Sequence, residues 1–377
     1  MRIICVGGGP AGLYAAVLLK LADPRHEVAV RERDQVGTVR GWGVTFWDDL
    51  LDAMRAGDPE SADEIAAAAA RWDGLETEVQ GRPRVVQPDF WGHSISRSIL
   101  TSVLSRRARS LGVEIEYGSE STADDLATEA DLVIAADGVR SRFRAAHAEE
   151  LGARVDSGRN QFVWLSTTKP FPAFRFIFAQ PPAGWVSAYA YAYSDQASTF
   201  VVELPPETFQ RLGLDGMAAA QAVAALEEVF AWQLDGHRLK MQSKEDGSAP
   251  WSTFPTFWCR HWYLDNIAVM GDAAHTTHYS IGFGTKLALE DSITLAGAVA
   301  REGEVGAALR RYQHERIRDL RTPRRDARFS QRWFERVPRY LPFEADEFAA
   351  LLNRRRSALV AYLPPKAIVT ARRLVKR

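Results

Sequence analysis

The sequence predicts an α/β protein: a Rossmann-like parallel-sheet domain, an inserted antiparallel β-sheet, and a helical C-terminal segment. Three observations predict it. The chain opens on a strand, Arg2 to Val6, then Gly7-Gly8-Gly9-Pro10-Ala11-Gly12, then Leu13, Ala16, Val17 and Lys20 at helical spacing, then a second strand over 26–31. That unit has the length a parallel strand pair with a helical crossover needs. Aromatic and β-branched runs separated by Pro, Gly and Asp fill 162–203, the texture of an antiparallel sheet. A buried strand over 262–270 and a helix over 285–301 then return to α/β material, so the β-rich stretch is bracketed.

Between these landmarks, 58–71 reads as an Ala-rich acidic helix and 97–111 as a helix ended by Gly112. Strands are expected at 113–117 and 131–135. Within the β-rich stretch, Tyr189, Tyr191 and Tyr193 alternate with Ala190 and Ala192, so the three tyrosines share one face. They form either an aromatic wall or ordinary core. Arg175 alternates with Phe174 and Phe176 and is expected to face solvent. A helix follows over 217–234, and the Arg-rich remainder is helical, broken at Pro323, Pro338, Pro342 and Pro364-Pro365. The expected divisions are 1–160 and 256–305 for the two parts of the parallel-sheet domain, 161–255 for the β-rich domain, and 306–377 for the basic helical segment.

With 377 residues, 46% hydrophobic and 25% charged, the composition is that of an ordinary globular protein, and it excludes a disordered chain, a collagen-like fibre or a coiled coil. Cys5 and Cys259 are the only cysteines, which excludes a disulfide framework and a Cys-rich zinc site and fits a reducing cytoplasm. No metal site is expected. No stretch of about 18 apolar residues is present, so no integral membrane association is expected. The opening apolar run reaches glycine too early for a signal-peptide core. The net charge of −1 is unevenly spread: 310–377 holds 19 Lys/Arg against 7 Asp/Glu. Such a tail is either a solvated helical surface or a contact for an acidic or phosphate-bearing partner. Phe329, Trp333 and Phe334 interleave with arginines, but without a nucleic-acid fold no nucleic-acid partner is expected.

Three motifs carry chemistry. Gly7-x-Gly9-x-x-Gly12 follows a strand and opens a helix, the context in which backbone amides and the helix N-terminus meet a pyrophosphate. Glu32, twenty residues beyond Gly12, ends the second strand where ribose hydroxyls are bound. The second motif is an apolar strand delivering Asp137-Gly138 to a turn, followed by Ser141 and Arg144. The third is the strand end Gly271-Asp272-Ala-Ala-His275, leading to a helix whose N-terminus can face phosphate or a flavin ring.

This order resembles the FAD-dependent aromatic hydroxylases of the p-hydroxybenzoate hydroxylase fold, and the resemblance covers essentially the whole chain. It implies FAD contacts from Gly7, Gly9, Pro10, Ala11, Gly12, Glu32, Arg33, Arg97, Asp137, Gly138, Gly271, Asp272, Gly282, Gly284, Thr285 and Lys286. It also implies NAD(P)H as external reductant, met partly by the Asp137-Gly138 loop. The run His275-Thr-Thr-His278-Tyr279-Ser280-Ile-Gly282-Phe-Gly284-Thr285-Lys286 departs from the Pro-rich loop of many such hydroxylases. With Gly41-Trp42-Gly43-Val44 and Thr168-Lys169-Pro170-Phe171, it is similar to the branch containing salicylyl-CoA 5-hydroxylase and 2-aminobenzoyl-CoA monooxygenase. The tryptophan hydroxylase of violacein biosynthesis shares several of these features.

The resemblance implies ring hydroxylation with O₂ through a flavin C4a-hydroperoxide, the cofactor carrying the chemistry and the protein supplying position and dryness. His278, Tyr279 and Ser280 are the expected contacts to the reacting centre, with His278 either exchanging a proton or holding the loop. Lys286 is either an electrostatic partner of the reduced flavin or a helix-start lysine in water. Trp42, Trp47, Tyr189, Tyr191 and His278 are the expected substrate contacts. The expected substrate is a small aromatic molecule, an aryl thioester on CoA or a carrier protein, with the basic tail available to dock either. Two alternatives stand beside it: hydroxylation of free tryptophan or another indolic metabolite, and a FAD-binding protein that guides a reactive intermediate without oxidising it.

Overall fold

The computed structural model describes residues 1–38 and 41–375. Lys376 and Arg377 of the expected 306–377 segment lie outside the described residues. Six strands form the first sheet, in the order Tyr263–Leu264, Ile267–Val269, Leu132–Ala135, Arg2–Val6, Glu27–Glu32, Glu114–Tyr117. All neighbours are parallel except the first pair, a hairpin. Ile3, Ile4 and Cys5 pack beside Leu132 to Ala135 with almost no exposure, because a parallel strand covered on both faces needs a continuous apolar run. The helix Pro10–Ala22 starts with Pro at its first turn and buries every residue from Ala11 to Leu19, against the sheet and the helix Gly284–Glu302. All three motifs therefore sit at the carboxyl ends of adjacent parallel strands, where open α/β sheets bind ligands.

The second sheet is not confined to 161–255. Its order is Leu239–Met241, Arg154–Thr167, Ala197–Leu204, Val186–Ser194, Phe174–Ala179, Ala70–Val79, Val85–Ser96, Gly43–Phe46. Three of these strands come from the first hundred residues. The expected helix over 58–71 stops at Ala68, and the strand Ala70–Val79 pairs in parallel with Phe174–Ala179. A bulge at Gly74, φ +92°, changes the phase between Trp72 and Leu75, which hides the period-two pattern in the sequence.

One face of this sheet packs Val163, Leu165, Phe200 and Val202 on Ala222, Leu226 and Phe230. The other packs Phe176, Phe178 and Tyr189 on Trp333, Phe334, Phe348 and Leu352. The Arg-rich C-terminal segment is thus a load of core on one side and cations on the other. In the helix Arg321–Phe334, Phe329, Ser330, Trp333 and Phe334 are buried while Arg321, Arg325 and Arg328 are exposed. Arg175 is a correction. It is 9% exposed, donates to Glu76 at 2.5 Å and to Gln233 at 3.0 Å, and lies over the Phe171 ring, because Glu76 on the neighbouring parallel strand meets it.

Candidate active site

The glycine turn is built so that side chains are excluded where the backbone folds on itself. A Cβ on Gly7, φ +112°, would collide with the Ala136 carbonyl, and one on Gly12 with the Gly7 carbonyl. Gly9 instead has no atom of a described residue within 4 Å of a Cβ position, so its side of the turn is an open cradle beside Pro10 and Ala11 at the helix N-terminus. Glu32 is held by two backbone amides, Gly8 N–H at 2.5 Å and Asp34 N–H at 2.7 Å, so its carboxylate lies beside the turn. Arg33 next to it is exposed, 3.8 Å from Asp34.

Arg144 joins the other two motifs. Buried, it donates to the carbonyls of Asp272 and Ala273 at 2.9 Å each and to the Val139 carbonyl, and stacks on Phe257 at 3.8 Å. Asp137 accepts from Arg142 N–H at 2.7 Å, while its Oδ1 is buried and has no partner among the described residues. Gly138 takes φ +79° with open space around it. Gly271 N–H and His275 Nε2 both meet Asp291 Oδ2 at 2.9 Å, and Arg316 Nε meets Oδ1 at 2.7 Å. Asp272 is accessible, yet protein surrounds it: burial raises its carboxyl pKa, opposed by Arg97, His275 and Arg144. An accessible carboxylate that is also desolvated marks a concave surface. Arg97, whose N–H donates to the Trp42 carbonyl at 2.9 Å, lies near enough to the Gly-Asp turn for its charge to act on Asp272.

The loop beyond begins at His278, whose side chain caps the short turn Tyr279–Ile281. Gly282, φ +74°, ends that turn, where a Cβ would meet Thr45 Oγ1 at 2.8 Å and the Trp47 ring at 3.0 Å. Gly284 and Thr285 then open the helix Gly284–Glu302. Trp47 lies edge-on to Phe283 at 5.4 Å and to Trp72 at 6.3 Å. Tyr279 is half-buried against Phe162 and Phe254 and donates to Glu203 at 2.8 Å.

Several expected roles change. His278 is 4% exposed, and burial, with Arg355 adding to it, lowers its pKa to about 3, which holds the ring neutral near pH 7. Lys286 lies 3.0 Å from Asp49 and also bonds Glu290; burial lowers its pKa, but these two carboxylates outweigh it and the charge is already neutralised. Tyr191 is packed core: its ring stacks on Phe174 at 5.2 Å and its hydroxyl donates to the Gly43 carbonyl at 2.9 Å. Tyr189 lies under the C-terminal helices and donates to Glu203 at 2.7 Å. Trp42 donates to the Trp164 carbonyl at 3.1 Å, which fixes the segment that meets Arg97. Sequence reasoning missed Glu203, Ser330, Arg355 and Arg316. Only Glu203 carried a signal, an acid between Val202 and Leu204 in an apolar strand.

A parallel sheet with a glycine turn, two acidic strand-end turns and an open helix N-terminus defines a dinucleotide-binding oxidoreductase of the flavoprotein type. The excluded Cβ positions at Gly7 and Gly12, the open one at Gly9 and the unpartnered Asp137 Oδ1 fit FAD. The FAD binding domain family matches residues 1–321, and the chain belongs to it. It is 35% identical over 351 residues to salicyloyl-CoA 5-hydroxylase of Streptomyces sp, covering 90% of this chain and 66% of that protein. It is 35% identical over 338 residues to 3-hydroxy-4-methyl-anthranilyl-[aryl-carrier protein] 5-monooxygenase of Streptosporangium sibiricum, covering 90% of each. The fold matches 2-methyl-3-hydroxypyridine-5-carboxylic acid oxygenase with a TM-score of 0.65 at 19% identity, over 97% of each chain. The chain is a FAD-dependent monooxygenase of aromatic compounds. Among the described residues no helix is long and apolar enough to cross a membrane.

Proposed function

We propose that this chain is a single-component cytoplasmic enzyme that hydroxylates the ring of an aryl thioester, on CoA or a carrier protein, using NAD(P)H and O₂. The observation that carries this is the likeness, along nine-tenths of the chain, to two enzymes named for CoA- and carrier-linked aryl substrates. FAD, when bound, supplies hydride uptake from NAD(P)H and oxygen transfer from O₂.

The chain's own residues bind, orient and keep dry. The turn from Gly7 to Gly12, with Pro10 and Ala11, would hold the pyrophosphate and Glu32 the ribose, with Arg33 at the rim. Arg97, Asp137, Gly138, Gly271 and Asp272 would hold the middle of the cofactor, and Gly282, Gly284 and Thr285 its ring end. Trp47 packs edge-on to Phe283, and Phe254 edge-on to Tyr279; with Trp42 these rings would border a planar substrate and keep water from it. The exposed Arg321, Arg325 and Arg328 offer a cationic face to phosphates or an acidic carrier.

The test is NAD(P)H oxidation with O₂ present, comparing aryl-CoA thioesters, carrier-linked aryl groups, the free acids and tryptophan, with peroxide assayed in parallel. Rapid oxidation on a thioester with little peroxide is the expected result. Equal turnover of free acid or tryptophan overturns the thioester reading.

A further inference from the structure

His278 is nine-tenths buried, and Nδ1 is the one ring nitrogen that a described residue meets. Nδ1 lies 2.7 Å from Ser280 Oγ, which lies 2.7 Å from Ser330 Oγ, which accepts from Arg355 Nε at 3.1 Å. The direction of this chain can be worked out. Arg355 has only donors, so Ser330 Oγ accepts from it and can pass its own proton to Ser280 Oγ. Ser280 in turn can donate to Nδ1. The Ser280 backbone N–H, which can only donate, also points at Nδ1 from 3.4 Å. Two donors aimed at one nitrogen require a lone pair there, so the ring proton is on Nε2.

No described residue accepts from that Nε2–H. The ring stacks on Tyr279 at 4.3 Å and meets Phe254 edge-on at 5.3 Å, which fixes its plane. Arg355 is itself 7% exposed, and its other donors reach the Leu352 and Ser280 carbonyls at 3.1 and 3.0 Å. Arg356 donates to the next carbonyl, Ile281, at 3.0 Å. Ser330, Arg355 and Arg356 all lie beyond residue 321, where the family match ends.

We propose that His278 acts as a fixed, neutral Nε2–H hydrogen-bond donor to an oxygen of the bound substrate or flavin, and that Arg355, through Ser330 and Ser280, is the positioning residue that sets its tautomer. The role of the loop rests on the proposed function above; the tautomer does not. No proton is transferred: the imidazole keeps its proton, and its hydrogen bond strengthens as negative charge gathers on the acceptor oxygen. The burial and the Arg355 charge that hold the ring neutral are the same features that make it a donor independent of pH. The C-terminal segment thus completes the site, through a clamp that lies beyond the family match.

The experiment is nitrogen NMR of the FAD-loaded enzyme with labelled histidine, the His278 signal being assigned by its absence in His278→Gln. The expected result is the Nε2–H form, with Nδ1 as acceptor and no titration between about pH 6 and 8. An Nδ1–H form, or a ring that titrates in that range, overturns the proposal even if thioester turnover is confirmed. Ser330→Ala should mix the tautomers without touching the loop backbone, and Arg355→Lys should preserve more of the Nε2–H form than Arg355→Met. Unchanged tautomer in both Ser330→Ala and Arg355→Met overturns the positioning role. In turnover, His278→Leu should lose about 10²–10³-fold in kcat with FAD content unchanged, and His278→Gln, which keeps a donor, should lose roughly ten times less. Equal losses in the two variants overturn the donor role.

Discussion

Arg316 Nε lies 2.7 Å from Asp291 Oδ1, and this ion pair is sealed from solvent, with Asp291 at 0% and Arg316 at 3% exposure. The other Asp291 oxygen receives Gly271 N–H and His275 Nε2. A helix of the family domain and the helix that follows it are thus tied, through one carboxylate, to the turn that presents Asp272.

Asp291→Asn should destabilise the protein by about 3–5 kcal/mol, since Arg316 is left buried without its countercharge. Burial raises the Asp291 pKa, but His275, Arg316 and the Gly271 amide outweigh it and hold the group below the usual carboxylate range. A depressed folded-state pKa gives stability that is present above the unfolded-state pKa and lost as pH falls through the folded one. Urea melts of the wild type should therefore steepen in their acid loss relative to the variant, and equal acid profiles would show that Asp291 is not the source.

Glu203 has the opposite sign. Burial raises its pKa despite the donors Tyr189, Asn160 and Tyr279, with the Glu335 charge adding to the rise. Its contribution is fullest below the unfolded-state pKa and is lost as pH rises through the folded one. Glu203→Gln should match or exceed wild-type stability at neutral pH and remove that decline. Glu203→Leu should cost about 3 kcal/mol or more, because three donors lose their acceptor. Melts of both variants at acid and neutral pH check this.

The parallel sheet was legible because its strands are apolar runs ending in glycine and acid, each a local pattern. Gly43–Phe46, Ala70–Val79 and Val85–Ser96 were not: a bulge at Gly74 and a pairing partner about a hundred residues away carry no local mark. The same limit explains the site. Gly9, Glu32 and Asp272 announce themselves beside their strands, whereas Ser330 acts on His278 from a helix and Arg355 from the turn after Ala345–Asn353, among arginines that all look alike in sequence. Arg175 failed for that reason too, since the acid that buries it, Glu76, belongs to the strand Ala70–Val79, which has no local mark in the sequence.

Gly9→Ala and Gly12→Ala should fail differently. A Cβ on Gly12 strikes the Gly7 carbonyl, so that variant should lose stability by about 1–3 kcal/mol even without cofactor. Gly9 sits at φ −76°, which alanine adopts freely, and its Cβ would enter open space. Gly9→Ala should fold with wild-type melting yet bind FAD at least about tenfold more weakly, the methyl group occupying the cradle. Fluorescence titration with FAD beside thermal melting separates the two; normal FAD affinity in Gly9→Ala would move the pyrophosphate away from this turn.

Reversing Arg321, Arg325 and Arg328 to Glu tests the cationic face without entering the core. These side chains are exposed, while the same helix buries Phe329, Ser330, Trp333 and Phe334 beneath them. Rim charges act on encounter more than on chemistry, and salt screens them over about 8–10 Å. The triple variant should therefore raise KM for a CoA- or carrier-linked substrate by about tenfold at low salt, leave kcat unchanged, and approach wild type as salt rises. A small free acid should be handled equally by both proteins. If KM for the linked substrate does not move, the arginines are a solvated helix surface, and the thioester's handle docks elsewhere.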